Sequence, residues 1–129
     1  MVYSVLFVQK TLRLDCRINR LLDQYRDRFD VTIVAPENPI PEDGYRKSDA
    51  VVAHLNPSRV VELRGLHRRH PETNLLLIPL GLPGDLHREL KIDGDGAYFL
   101  PEGFTETDFV DSIARLSERR RTSLQSPVY

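Results

Sequence analysis

The sequence predicts an α/β domain in which helices wind around both faces of a five-stranded parallel sheet. Three observations indicate this class: five short apolar runs, helical spacing of apolar residues between several of them, and a length of 129 residues. Strands that alternate with helices pair in parallel, because each helix returns the chain to the same edge of the sheet by a right-handed crossover. A chain of this length usually forms one domain with its own hydrophobic core.

Five runs of β-branched, aromatic and aliphatic residues are the predicted strands. The run at 2–8 is almost continuously apolar, which is typical of a strand buried on both faces. The run at 31–35 predicts a second buried strand, which Pro36 ends because proline lacks an N–H. The remaining strands are predicted at 49–55, 74–78 and 97–100. The run at 74–78 is the most apolar, so it is predicted to be the central strand.

Helices are predicted from 11 to 28, from about 57 to just before Pro71, and from Thr105 onwards. Asp108 stands three residues after Thr105, which is a weak capping-box pattern. The last helix is predicted to turn four apolar side chains inward: Phe109, Val110, Ile113 and Leu116. Prolines and a glycine between 36 and 48 leave room for about one turn of helix, so the second helix is expected to be shortened or missing. Asp85 can begin another short helix.

Composition excludes several classes of protein. With 18 basic and 19 acidic residues the chain has no strong charge that would favour nucleic acid. Its single cysteine, Cys16, can form neither an intramolecular disulfide nor a cysteine metal site, so a reducing, cytoplasmic location is expected. The opening apolar run is too short for a signal peptide or a membrane span.

The chain is predicted to divide into a domain over 1–118 and a basic, polar tail or linker over 119–129. The tail contains Arg119, Arg120 and Arg121, which are most simply interpreted as a solvated charge run. DNA binding by this tail is the competing interpretation, but three arginines offer few phosphate contacts. Nucleic acid is therefore expected to be bound only through a separate output domain, if one exists.

Three stretches of the chain, at 49–57, 63–78 and 96–104, carry a family resemblance. They read Asp-Ala-Val-Val-Ala-His-Leu-Asn-Pro, an arginine-rich helix leading into an apolar strand, and Gly-Ala-Tyr-Phe-Leu-Pro-Glu-Gly-Phe. In this order, over about the first 118 residues, they resemble the receiver domains of two-component response regulators, which have a flavodoxin-like fold.

The resemblance implies a phosphorylation site at the carboxyl ends of the strands, and this sequence departs from it at five positions. They are Gln9 and Lys10 for the acidic Mg²⁺ pair, His54 for the phosphoacceptor aspartate, Pro79 for the switching Thr/Ser, and Glu102 for the lysine. Mg²⁺ needs oxygen ligands, and an aspartyl phosphate needs a carboxylate. The chain is therefore expected to be a phosphorylation-independent pseudo-receiver that needs no cofactor and is not an enzyme.

Alternatives remain open at these positions. His54 can be a phospho-carrier or a metal ligand, although a lone histidine is more often structural. His67, His70 and His87 lack partners of metal-site spacing in the sequence, so no metal is expected. Lys10 and Glu102 form either an ion pair across the sheet or two solvated surface charges, and a double-mutant cycle distinguishes these cases.

The resemblance also implies that partners bind the face formed by the helix after the fourth strand, the fifth strand and the last helix. On this chain that face comprises Leu86, Arg88, Glu89, Tyr98, Phe109, Asp111 and Arg115. The partner is expected to be another protein or a second copy of the chain, and no membrane. The competing class is a small-ligand or enzymatic flavodoxin-like domain, with the 81–84 or 94–96 loop near an anion. Neither loop matches a phosphate-binding pattern.

Overall fold

The computed structural model describes residues 2–9, 16–35, 37–54, 57–78, 97–100 and 104–125. Its sheet contains β1 (Tyr3–Val8), β2 (Phe29–Val34), β3 (Ala50–His54), β4 (Leu75–Ile78) and β5 (Ala97–Phe99). The strand order is β2-β1-β3-β4-β5 and every neighbouring pair is parallel. The predicted five-stranded parallel sheet is confirmed.

Two expectations about individual strands are wrong. The central strand is β3, whose five residues are all buried, whereas β4 lies one position nearer the β5 edge. Strand β2 was expected to be buried but lies at the edge of the sheet, with Thr32 exposed and Ile33 51% exposed. An apolar run shows that a strand has apolar neighbours but does not determine its position in the sheet, because strand order depends on contacts distant in the sequence.

Four helices are described: α1 (Cys16–Gln24), α2 (Glu42–Lys47), α3 (Pro57–Arg69) and α4 (Glu106–Gln125). The expected shortening of the second helix is confirmed, since α2 has six residues. Helix α1 is shorter than the predicted 11–28, because residues 25–28 form a turn before β2. Residues 11–15 and the short helix expected at Asp85 lie outside the described residues.

The sheet separates two hydrophobic cores, as expected of a doubly wound fold. Alternate residues of β1 point to opposite faces, so Val5 and Phe7 enter one core while Leu6 and Val8 enter the other. The first core packs against α1 and α4, and the second packs against α2 and α3. Both faces of the sheet are therefore covered by helices, which makes the edges the places where its strands meet solvent.

The pair Tyr45 and His67 joins α2 to α3 inside the second core. Tyr45 is completely buried, and its hydroxyl lies 3.0 Å from Nδ1 of His67, itself 2% exposed. Burial, together with the nearby Glu72 carboxylate, raises the pKa of the Tyr45 hydroxyl well above its ordinary value, so it stays neutral. His67 thus has a structural position between two helices.

Helix α4 begins with the predicted capping box. The Thr105 hydroxyl accepts a hydrogen bond from the Asp108 N–H at 3.1 Å, and the Asp108 carboxylate accepts one from the Thr105 N–H at 3.0 Å. These two bonds satisfy backbone donors that the first turn of a helix leaves without intrahelical partners. The weak sequence pattern therefore correctly marked the start of the helix.

The end of α4 corrects the expected tail. The helix continues through Arg119–Arg121 to Gln125, so a boundary at residue 118 falls inside it. Arg121 is not a solvated charge: its guanidinium donates to the Asp49 carboxylate at 2.9 Å and to the Val2 carbonyl at 2.6 Å. The same carboxylate accepts the Ser4 N–H at 2.8 Å. We call Asp49, Arg121, Ser4 and Val2 the amino-edge clasp, since they join α4 to the start of β1 and β3.

A surface cluster joins the start of α2 to the end of α3. Oε1 of Glu42 accepts a hydrogen bond from Nε of Arg69 at 2.7 Å and lies 3.0 Å from Nε2 of His70. These contacts hold the pKa of Glu42 below its ordinary value of 4.5, and the hydrogen bond from Arg69 has a larger effect than the one with His70. This places His70, like His67, in a contact between the two helices.

We expect the substitution Arg69→Ala to raise the pKa of Glu42 towards 4.5, as followed by NMR titration of the side-chain carboxyl. Because folding lowers this pKa, the contribution of Glu42 to stability is complete above its unfolded pKa and is lost as the pH falls through the folded value. Arg46→Ala is the matched control, since Arg46 pairs with Asp43 on the same helix. An unchanged Glu42 titration in Arg69→Ala would contradict the assignment.

Candidate functional site

The carboxyl ends of the parallel strands meet at one edge of the sheet, where ligands of open α/β folds bind. Two of the five predicted site positions, Gln9 and His54, lie there among the described residues. Lys10, Pro79 and Glu102 lie outside the described residues. The described part of the site therefore consists of the ends of β1 and β3, which are adjacent strands.

His54 is the last residue of β3 and is 2% exposed. Its ring lies against Phe7 of β1, with the ring centroids 6.0 Å apart and the planes tilted by 44°. In the register of the sheet His54 is opposite Ile78 of β4. The position at the end of the central strand thus holds a buried imidazole in contact with Phe7, and it provides no carboxylate oxygen.

Gln9 follows β1 directly and is 4% exposed. Its N–H donates to the Val34 carbonyl at 3.0 Å, which extends the ladder between β1 and β2 by one bond. The side chain is an uncharged amide, which neutralises no cation and attracts no anion through net charge. At Gln9 and His54 this edge therefore lacks the acidic oxygens that a hard cation prefers.

The sequence did not single out Arg59 and Glu62, which fix the connection between β2 and α2 beside this edge. The Arg59 guanidinium donates to the Ala35 carbonyl at 2.8 Å and to the Glu62 carboxylate at 2.9 Å. Glu62 also accepts the Ile40 N–H at 2.7 Å. The spacing of three residues on one helix was a detectable signal for the ion pair, but nothing local indicated its two backbone partners.

The expected interaction face is only partly described. Phe109 does not belong to it: the side chain is completely buried in the core under α1 and α4, because its position in the helical repeat points towards the sheet. Asp111 and Arg115 are exposed. Tyr98 is half-buried on β5, with the Arg119 guanidinium 5.7 Å from its ring centroid. Leu86, Arg88 and Glu89 lie outside the described residues.

Two absences concern the described part of the chain alone. Within it, no three His, Cys, Asp or Glu side chains come together in a way that could hold a metal ion. No helix among the same residues is sufficiently long and apolar to cross a membrane. His87 lies outside the described residues.

No protein-family model and no curated protein matches this sequence. Solved receiver domains match the structure over nearly its whole length. The receiver domain of the sensor histidine kinase PA1611 from Pseudomonas aeruginosa PAO1, solved with a magnesium ion in its active-site cleft, has a TM-score of 0.69 at 16% identity and covers 92% of this chain and 99% of that one.

Two further structures agree. A response regulator receiver domain protein from Clostridium thermocellum has a TM-score of 0.68 at 18% identity, covering 95% of this chain and 99% of its own. The signal receiver domain of an HD domain-containing protein from Pseudomonas fluorescens Pf-5 has a TM-score of 0.72 at 14% identity, covering 98% of this chain and 94% of its own. With the strand order and the two covered faces, these similarities show that the chain has the fold of a response-regulator receiver domain.

Proposed function

We propose that this chain is a regulatory domain of signal transduction that acts in the cytoplasm without being phosphorylated on aspartate. The observation that supports this most directly is His54, which occupies the end of the central strand, 2% exposed and against Phe7. Phosphoryl transfer to a receiver of the usual kind requires a carboxylate nucleophile at this position. An imidazole there cannot form an acyl phosphate.

The neighbouring Gln9 supports the same proposal through charge. A phosphoryl group brings negative charge to the site, and a bound divalent cation normally neutralises it. The amide of Gln9 cannot replace the charge of a carboxylate ligand, and Lys10 beside it in the sequence has a positive charge of its own. The site therefore favours neither Mg²⁺ nor the reaction that Mg²⁺ would assist.

A domain of this fold without phosphoryl chemistry acts through its surfaces. We infer that its partner is a protein, either another chain or a second copy of this one. Asp111 and Arg115 remain candidates on the face that includes α4, because both side chains are exposed. The activity of the partner would then depend on the concentration of this domain and on its affinity for the partner. No covalent modification of the domain would be needed.

An amide NMR titration with Mg²⁺ and beryllofluoride, a mimic of aspartyl phosphate, tests the proposal. We expect no saturable shifts at the backbone amides of Phe7, Gln9 or His54. The receiver domain of PA1611, whose structure contains Mg²⁺ in the active-site cleft, is the positive control under identical conditions. Localised, saturable shifts at these amides would mean that the domain is a working phosphorylation switch.

A further inference from the structure

An open groove of about 910 Å³ runs between α1 and the outer edge of β2. Its lining is largely apolar and includes Leu22, Phe29 and Val31. Of the four large hydrophobic side chains that are exposed among the described residues, two line this groove: Val2 (45% exposed) and Ile33 (51%). Two of these four side chains thus lie beside one open strand edge, and open edges favour pairing with another strand.

The hydrogen bonds of β2 determine which backbone groups point outward. The Gln9 N–H donates to the Val34 carbonyl and the Tyr3 N–H to the Arg28 carbonyl, so even-numbered residues of β2 face β1. In a parallel ladder alternate residues face opposite sides. The N–H and C=O groups of Val31 and Ile33 therefore point away from β1, towards the open edge.

This edge is complementary to itself. If two copies of β2 meet antiparallel about a two-fold axis through Thr32, Val31 of one copy is opposite Ile33 of the other. Both residues have outward N–H and C=O groups, so each such pair exchanges two hydrogen bonds and the symmetric contact contains four. The side chains of Val31 and Ile33 lie on the same face of the strand, which places the exposed isoleucine against an apolar neighbour.

The charges along the groove are balanced and suit a second copy of the same surface, since the lining has two exposed arginines and two exposed aspartates: Arg20, Arg26, Asp23 and Asp30. Arg20 and Asp23 stand one turn apart on the groove side of α1, and both are exposed. The two-fold axis makes the α1 helices of the two copies antiparallel, so Arg20 of one approaches Asp23 of the other, twice. An isologous interface requires a patch of this kind, with both charges on the same surface.

We propose that two copies of this chain associate through their β2 edges to form one continuous ten-stranded sheet. The interface lies at the edge of the sheet opposite β5, and it does not depend on how His54 behaves. It would close the exposed edge and cover the apolar groove in a single contact.

Sedimentation velocity over a concentration series tests the interface. We expect a reversible dimer whose dissociation constant increases by about tenfold or more in Ile33→Lys, because the substitution places two like charges beside the two-fold axis. Val61→Lys is the matched control: Val61 is 73% exposed on α3, so this variant should dimerise as the wild type does. Asp23→Arg should weaken the dimer, and the double variant Arg20→Asp with Asp23→Arg should restore it.

Amide hydrogen exchange provides a second measurement. In the dimer, the amides of Val31 and Ile33 become protected as the protein concentration rises, while that of Thr32 is protected throughout by its bond to β1. Three results would overturn the proposal: a wild-type monomer at about 1 mM, a dimer that Arg115→Glu disrupts while Ile33→Lys leaves it intact, or a monomer whose β2 edge pairs with an unrelated extended peptide.

Discussion

Replacing Arg121 with alanine is expected to lower the free energy of unfolding by about 2–3 kcal/mol, because the Asp49 carboxylate then stays buried without its counter-charge. Asp49 is 6% exposed and accepts a bidentate contact from the guanidinium, at 3.2 and 2.9 Å. The Arg121 side chain is 29% exposed, so water partly screens the pair and the expected loss is below that of a fully buried one. Urea unfolding followed by circular dichroism measures it.

Arg120 provides the matched control for this experiment. It is adjacent in the sequence, but makes only a 3.3 Å hydrogen bond to the Arg46 carbonyl among its described contacts. Arg120→Ala should therefore change the free energy of unfolding by about 0.5 kcal/mol or less. A cycle with Asp49→Asn isolates the coupling of Asp49 to Arg121. Equal effects of Arg121→Ala and Arg120→Ala would show that the amino-edge clasp contributes nothing specific.

Tyr45→Ala is expected to have the largest effect of any single substitution considered, a loss of about 4 kcal/mol in the free energy of unfolding. Tyr45 is the buried residue of α2, a six-residue helix too short to be stable without tertiary contacts. Removing its ring leaves a cavity between α2, α3 and the sheet and deprives His67 of the hydroxyl 3.0 Å away. Thermal and urea unfolding both report this loss.

Tyr45→Phe separates packing from hydrogen bonding at the same position. The ring remains and only the hydroxyl is removed, so we expect a smaller loss, about 1–2 kcal/mol. Tyr45→Ala should also reduce the protection of α2 amides from hydrogen exchange more than that of β1 amides, since the second core is the one affected. Equal losses in the two variants would mean that the ring contributes little to packing.

The features predictable from sequence are those encoded locally. Alternation of apolar runs and helical stripes predicted the parallel sheet, and Thr105 with Asp108 marked the start of α4. The position of β2 at the edge was not predictable in this way, because an edge strand and an interior strand can both be apolar. Gln9 and His54 stand at the ends of β1 and β3, positions that follow from the same apolar runs, whereas their role in a site stays a prediction.

The contacts missed from the sequence join residues far apart along it. Asp49 and Arg121 are separated by 72 positions, and Arg59 and Ala35 by 24. No spacing rule connects such residues. Arginines 119–121 have the composition of a solvated charge run, and only the packing of α4 against the sheet shows that Arg121 lies beside a buried carboxylate.

The amino-edge clasp has a consequence for folding kinetics. The bond from Arg121 to the Val2 carbonyl closes a loop of 119 positions, so it can form only after α4 has docked on a nearly complete sheet. Interactions absent from the transition state change the unfolding rate and leave the refolding rate almost unaltered. The clasp therefore slows unfolding, so it extends the lifetime of the folded molecule. It has little influence on the rate at which an unfolded chain refolds.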